Sequence, residues 1–237
     1  MNETMKYVIH MADYLDTYSG RDKMLKTLSY TAKLLTISTS SKSTQKKLKD
    51  IGSEMSEGRM LLRLLDDFSA LRSVIKYGWG KEEPDSLIRW AQVLQNTVDI
   101  IYCAIEHIYW AGIRDIVLIN INKWSLATTL FWILSIHLSL LKTMRKIRYL
   151  QICKINLENS YQPDGLKLRE VTRKRNFEVL TCTRLLLDLG YAVHYLPTGV
   201  LWGECLQTWH VGALGTMSAL IAIYQALKNR IEAKKLS

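Results

Sequence analysis

Two long stretches without a charged side chain constrain the fold of this chain more than any other feature. Residues 124–141 are uncharged between Lys123 and Lys142, and residues 205–227 form a second such stretch. A bilayer takes roughly 17–25 mostly apolar residues as a spanning α-helix, because backbone polar groups in lipid must hydrogen-bond within their own helix. Both stretches therefore predict membrane-spanning helices. A pair of buried core helices in a soluble protein is the alternative, since the mean hydropathy of the chain is close to zero.

Positive charge gathers in the C-terminal half. The net charge is +10; 17 Lys and Arg oppose 15 acidic residues up to Lys123, whereas 15 oppose 7 beyond it. Ten of these basic residues lie in residues 142–175, directly after the first uncharged stretch. Such a cluster suits an anionic bilayer surface, at about 1 kcal/mol per charge. Nucleic acid is not expected as a partner, because no basic patch outside the stretches is interleaved with stacking aromatics.

The remaining pattern predicts an all-α chain. The three prolines lie at plausible helix boundaries, and no run of any length alternates with the period of a strand. We expect a polytopic membrane protein with N-terminal amphipathic helices and two transmembrane helices in the C-terminal half. Its expected segments are an amphipathic cytosolic or membrane-associated region (1–112), a first transmembrane helix with a basic flank (113–150), a basic loop with an amphipathic helix (151–195), and a second transmembrane helix with a basic tail (196–237).

A long third helix, over residues 45–77, is the candidate for insertion into one leaflet. Its apolar residues follow three- and four-residue steps and have basic neighbours, as in helices that lie in a membrane surface. From Leu61 the apolar face shifts toward Leu71 and Ile75, and Gly58 near the shift predicts a bend or a change of partner. The membrane-inserting residues are expected to be Leu48, Ile51, Met55, Leu62, Leu65 and Phe68, and the anionic-lipid contacts Lys46, Lys47, Lys49, Arg59 and Arg63.

Small residues near the second stretch favour close helix packing. They include Gly199-x-x-x-Gly203 ahead of it and Gly212, Gly215 and Ala219 within it. Such spacing lets two helix backbones approach closely in lipid. Oligomerisation and packing within one chain remain equally open.

Residue sets that carry chemistry are missing from the sequence. The five histidines form no His-Glu-x-x-His site, and Cys103, Cys153, Cys182 and Cys205 form no Cys-x-x-Cys pair. No glycine-rich loop has the pattern that cradles phosphates. We therefore expect no enzymatic activity, no catalytic or metal-binding residues and no cofactor.

Several short motifs, taken in order, resemble the peroxisomal membrane protein 11 family and, in the C-terminal half, its gamma (11C) branch. Each motif alone has little specificity, but together they cover nearly the whole chain. They are DTYSGRDK at 16–23, RLLDD at 63–67, EHIYWA at 106–111, WSLATTL at 124–130, AVHYLPTGVLW at 192–202, VGALGT at 211–216 and YQA at 224–226.

The resemblance implies a multi-pass protein of the peroxisomal membrane, with its termini in the cytosol. It implies that an amphipathic helix and self-assembly curve and elongate the membrane before division. The implied partners are copies of the chain, family paralogues, a fission adaptor and a dynamin-related GTPase. The tail also carries Lys234 and Lys235, the dilysine form that coatomer reads on cytosolic tails, although a basic solubilising end is the favoured explanation.

Two other function classes stay open at this point. A pore or metabolite channel is suggested by Asp99, Glu106 and His137 on or beside the membrane helices. A pure adaptor, whose N-terminal helices bind soluble partners through their apolar stripes, is the other.

Overall fold

The computed structural model describes residues 3–160 and 164–236, without the side chains of residues 3, 4, 6, 7, 10, 231 and 233–236. Every regular element within these ranges is a helix, so the predicted all-α class is confirmed. The helices are α1 (Glu3–Leu15), α2 (Tyr18–Leu35), a short 3-10 helix (Thr36–Ser38), α3 (Lys42–Arg63), α4 (Asp67–Tyr77), α5 (Ser86–Ile113), α6 (Ile121–Glu158), α7 (Gly165–His194) and α8 (Thr208–Leu236).

Polar side chains determine where the long helices begin. Asp85, Asn120 and Asp164 each precede a helix and accept hydrogen bonds from backbone N–H groups of its first turn. Such caps satisfy donors that have no partner within the helix. The start of α6 at Ile121 follows directly from the cap at Asn120.

The predicted third helix is two helices, and the break lies at residues 64–66 rather than near Gly58. Gly58 sits inside α3, where a Cβ would meet nothing within 4 Å, so no neighbour forces a bend there. At the break, the Leu64 carbonyl faces Nε2 of His107, 3.2 Å away, instead of continuing the helical ladder. A tertiary contact therefore ends α3.

The chain divides into two compact units. The first comprises Met1–Arg63 with Cys205–Ser237, and in it α2 packs against both α3 and α8. Lys26 Nζ donates to Ser218 Oγ of α8 at 3.0 Å, and Ser29 Oγ donates to the Gly52 carbonyl of α3 at 2.7 Å. Sequence-distant ends of the chain thus share one core.

The second unit, Leu64–Glu204, contains α4 to α7, with α6 packed between α5 and α7. Its buried core joins Ile136 and Leu140 of α6 to Leu185 and Ala192 of α7. The four segments expected from the sequence follow chain order, whereas packing groups the helices by unit.

Within the described residues, α6 and α8 are the helices long and apolar enough to cross a membrane. They coincide with the two predicted spans, and each unit contains one of them. The α6 stretch is 22 % buried and the α8 stretch 39 %, so α6 leaves more of its apolar surface to the surroundings.

We predict that Gly212→Ala destabilises the first unit. A Cβ at Gly212 would collide with the backbone of Lys33 and Leu34, which cannot rotate away. Overpacking of this kind costs about 1–3 kcal/mol. Thermal unfolding of the full chain in detergent, followed by circular dichroism, should show a lower midpoint.

The matched control is Gly58→Ala, where a Cβ meets open space within α3. Alanine favours a helix interior over glycine by up to about 1 kcal/mol, so the control should be neutral or more stable. Equal midpoints for the two variants would contradict the close approach of α2 and α8.

A second prediction concerns Asp85, which ties the start of α5 to α6. Its carboxylate pairs with Arg145 Nε at 2.6 Å, and this hydrogen bond is the main reason that the pKa of Asp85 lies below its ordinary value. A lowered folded-state pKa adds stability above the unfolded value of about 3.9, and this stability is lost as pH falls through the folded value. Asp85→Asn keeps a capping side chain, so we expect a lower unfolding midpoint than wild type at pH 7 and convergence at acid pH.

Arg145→Gln removes the same pair from the other side and should converge with wild type over the same pH range. The measurement is the unfolding midpoint of each protein across a pH series. A gap between wild type and Asp85→Asn that persists at the acid end would contradict the assignment.

Candidate membrane-binding site

The structure divides the predicted inserting stripe between the two units. Leu48 and Met55 are half-buried on the side of α3 that carries Gly52, which packs against Ser29 and Ala32 of α2. Leu62 is also half-buried, and Ile51 is 51 % exposed. Much of the α3 part of the stripe therefore faces α2.

The predicted lipid-contacting cations separate in the same way. Arg59 Nε pairs with Asp22 Oδ1 of α2 at 2.9 Å, and the Arg59 side chain is only 15 % exposed. Arg63 is half-buried at the end of α3. Lys46, Lys47 and Lys49, by contrast, are exposed near the start of the helix. The three lysines are thus exposed, whereas Arg59 is engaged within the unit.

Helix α4 is amphipathic and leaves its apolar side uncovered. Leu65 is 75 % exposed, Phe68 83 % and Ile75 73 %, and α4 has no buried residue. Their spacing of three and seven residues keeps these side chains on one side of the turn and helix. Exposed Arg72 and Lys76 border them. Of the predicted inserting residues, Leu65 and Phe68 belong to this surface.

Two features, one at each end of α4, position this helix beside α5. At the first, the His107 ring faces the Leu64 carbonyl and Asp67 Oδ2, the latter 3.4 Å from Nε2, while Nδ1 lies 2.7 Å from the Cys103 carbonyl. At the second, Gly78 and Gly80 have φ values of 51° and 62°, which glycine adopts without strain.

The packing between these ends is loose. A groove of about 390 Å³ separates α4 from α5, and its walls are mostly apolar. Val74 and Trp79 line one wall, and Val93 and Ile100 line the other. The polar contacts of His107 with Leu64 and Asp67 are at one end of α4, and the groove lies toward the other end.

No group of three His, Cys, Asp or Glu side chains in the described residues is placed to hold a metal ion.

Comparison with known proteins places the chain in a family. The model of peroxisomal biogenesis factor 11 (PEX11) matches residues 8–227. The chain belongs to the PEX11 family. Peroxisomal membrane protein 11C of Mus musculus is 32 % identical over 94 % of the chain and 96 % of that protein, and the Homo sapiens 11C protein is 31 % identical over 92 % and 93 %.

A more distant relative is the peroxisomal membrane protein PMP27 of Saccharomyces cerevisiae, 26 % identical over 60 % of the chain and 59 % of that protein. No solved structure matches the chain. The resemblance drawn from the ordered motifs is confirmed, including its gamma (11C) branch. PEX11 membership supports a role in peroxisome biogenesis.

The small residues predicted for helix packing fall into two groups in this PEX11 chain. Gly199 and Gly203 lie before α8, which begins at Thr208, so their spacing is not that of a helix face. Gly203 instead packs against the carbonyls of Leu196 and Pro197. Gly212 and Gly215 face α2, and Ala219 on the same side is fully buried.

The tail prediction falls largely outside the described side chains. The α8 backbone runs through Lys234 and Lys235, and their side chains are not among those described. The dilysine signal stays a prediction.

Sequence reasoning missed Ile75, Trp79 and His107 as parts of the candidate site. The shift of the apolar face after Leu61 was the available signal for Ile75. His107 had no such signal, because its contact with Leu64 joins residues 43 positions apart.

We predict that His107→Ala loosens α4. Losing a hydrogen bond worth roughly 0.5–1.5 kcal/mol should raise the open population about twofold to tenfold. Trypsin cleavage after Arg72 and Lys76 in the full chain, quantified by mass spectrometry, should accelerate accordingly. His137→Ala is the control, because His137 Nδ1 faces the Ile133 carbonyl of its own helix. Equal cleavage rates in the two variants would exclude His107 as the link.

Proposed function

We propose that this PEX11-family chain resides in the peroxisomal membrane and curves and elongates it before division, with α4 as the inserting segment. The observation that carries the proposal is the exposed apolar side of α4 bordered by Arg72 and Lys76. A shallow helix of this kind widens the headgroup region of one leaflet and so favours curvature. The exposed lysines Lys46, Lys47 and Lys49 would add attraction to anionic lipid.

The free energies favour transfer of α4 from α5 to a bilayer. Full burial of one large apolar side chain contributes roughly 1.5–3 kcal/mol, and each cation near an anionic surface adds about 1 kcal/mol. The free energy of burying Phe68, Leu71 and Ile75 together exceeds that of the polar contacts of His107 with Leu64 and Asp67, each of which contributes on the order of 1 kcal/mol. Separation of α4 from α5 is therefore favourable in free energy once α4 can contact a lipid leaflet.

Gly78 and Gly80 provide the joint for this movement. Both are glycines at positive φ, and Gly80 lies beside Arg89 at the start of α5. Release at His107 would let α4 rotate about this joint while its C-terminal end stays attached. The helix would then lie along the membrane surface and no longer along α5.

The partners remain proposals that rest on the family. They are copies of this chain, family paralogues, a fission adaptor and a dynamin-related GTPase, with both termini in the cytosol. Because α2 covers Gly212, Gly215 and Ala219, self-association through that surface would need α2 to leave α8. Self-association through another surface needs no such step.

The test uses the full chain reconstituted in vesicles that contain anionic lipid. Phe68→Glu with Ile75→Glu should abolish tubulation seen by electron microscopy and reduce peroxisome number in cells expressing the chain. Each substitution removes an apolar contribution of roughly 1.5–3 kcal/mol and places a carboxylate at the surface. Both native side chains are more than two-thirds exposed, at 83 % and 73 %, so the fold should survive.

Leu166→Glu provides the matched control, because Leu166 is 79 % exposed at the start of α7 and lies outside the α4 surface. It should tubulate vesicles like wild type. Undiminished tubulation by the double variant would remove α4 from the mechanism. Equal loss in the control would show a general effect of added negative charge.

A metabolite pore is the second candidate, and a row of polar side chains between α5 and α6 is the observation in its favour. Gln95 donates to Ser135 Oγ at 2.6 Å, and Lys142 donates to Gln92 Oε1 at 2.7 Å. These groups hydrogen-bond to one another, as in a packed helix interface. Single-channel recording from the purified chain tests the pore, and the absence of conductance would reject it.

A further inference from the structure

Helix α5 differs from α6 and α8 in that its hydropathy does not select it as a membrane span. It carries Arg89, Asp99 and Glu106, together with several amides. A hydropathy average counts these groups wherever they point. The positions of these groups in the structure lead to a different expectation for α5 than their number does.

Hydrogen bonds give the register of α5 against α6. Gln92 accepts from Lys142, Gln95 donates to Ser135, and Ser135 Oγ donates to Asp99 Oδ1 at 3.2 Å. Each step forward on α5 therefore corresponds to a step backward on α6. In this register the end of α5 comes opposite the start of α6, so residues 92–113 run beside the entire uncharged stretch.

No other helix of the second unit matches the stretch over its full length. Helix α7 ends at His194. Near this end, the rings of Tyr191 and Tyr195 lie 5.5 and 6.4 Å from the ring of Trp132. Trp132 is midway along the uncharged stretch, so α7 accompanies only half of it.

The polar groups of α5 are turned inward and have partners. Gln95 and Asn96 are buried, and so is Glu106, which accepts from Tyr102 Oη at 3.0 Å. Asp99 accepts from both Gln95 and Ser135. In hydrocarbon, polar groups persist where they face a neighbouring helix and pair with it.

The outer side of α5 is free of charge. Its exposed residues beyond Arg89 are uncharged, and the single exposed hydroxyl, Thr97 Oγ1, donates to the Val93 carbonyl of the same helix. On α3, by contrast, the exposed residues include Lys46, Lys47 and Lys49. The large exposed side chains of α5 after Arg89 are Trp90, Leu94, Ile100, Ile101 and Ile108.

From this placement we infer that α5 and α6 cross the bilayer together as a helical hairpin. The outer side of α5 contacts lipid acyl chains, and the loop at residues 114–120 lies on the side of the membrane opposite to residues 80–85 and 142–160. The inference rests on the membrane crossing of α6 and not on insertion of α4. Two crossings return the chain to its starting side before α7, so the hairpin agrees with two cytosolic termini when α8 does not cross as well.

The hairpin is compatible with the proposed movement of α4. In its docked position α4 holds Arg72 and Lys76 beside α5, where hydrocarbon would surround them. Rotation about Gly78 and Gly80 moves α4 to the level of Arg89, which precedes the membrane-crossing part of α5. Release of α4 also uncovers Asn96 and His107 of α5, of which Asn96 keeps its hydrogen bond from Gln92 and His107 its contact with the Cys103 carbonyl.

Cysteine labelling tests the hairpin in the full chain. Cys103, Cys153, Cys182 and Cys205 are changed to alanine, and one cysteine is introduced as Lys81→Cys, Leu118→Cys or Ser160→Cys. All three positions are exposed in the structure. A membrane-impermeant maleimide is applied to sealed organelles from cells expressing each variant, before and after detergent permeabilisation. We expect Lys81→Cys and Ser160→Cys to behave alike and Leu118→Cys to behave oppositely.

Two outcomes would overturn the inference. If Leu118→Cys labels with Lys81→Cys, and Ser160→Cys labels oppositely, α6 crosses alone. If all three label together, neither helix crosses. Failure of Phe68→Glu with Ile75→Glu to affect tubulation would leave the labelling pattern unchanged, so the two proposals fail separately.

A substitution on the lipid-facing side gives a second readout. Leu94→Glu should cause a loss of carbonate-resistant membrane association, because it places a carboxylate among acyl chains. Leu166→Glu should retain that association. Retention by both variants would contradict contact between α5 and lipid.

Discussion

The hydrogen-bonded contact between α5 and α6 is the interaction on which the second unit depends. Gln95 lies at its centre, with Asp99 and Ser135 beside it. An unpaired carboxylate or amide at this depth would cost several kcal/mol in an apolar environment, whereas a paired one is tolerated. Pairing therefore lets a helix of moderate hydropathy lie against the uncharged stretch of α6. It also leaves the opposite side of α5 available for apolar contacts.

The same helix supports α4. His107 lies on α5 one turn from Cys103, whose carbonyl it faces, and its other ring nitrogen reaches the carbonyl at which α3 ends. One residue thus contacts both its own helix and the Leu64 carbonyl in the break between α3 and α4. Helix α4 is a separate short helix with an exposed apolar side. A continuous helix would have kept Phe68 on the same rigid rod as Gly52, which α2 holds.

Sequence periodicity predicted the helices well and their partners poorly. The two uncharged stretches correspond to α6 and α8, and the ordered motifs led to the correct family. The stripe from Leu48 to Leu65 was visible as a pattern, but a pattern does not say whether α2 or lipid covers it. Arg59 pairs with Asp22 of α2 and is therefore not free to contact lipid. The two residues are 37 positions apart, a separation over which periodicity carries no information.

The contrast between α8 and α5 shows what hydropathy omits. By hydropathy alone α8 is a membrane span, yet its small-residue side is covered by α2, which brings Lys26 to Ser218. By hydropathy alone α5 is excluded, yet Gln92, Gln95 and Asp99 pair with side chains of α6, and the exposed residues of α5 beyond Arg89 are uncharged. A helix meets lipid through its outer surface, so the charge that decides its environment is the charge left exposed after packing. On that criterion α5 and α6 form the more consistent membrane pair, and the environment of α8 depends on whether α2 stays in place.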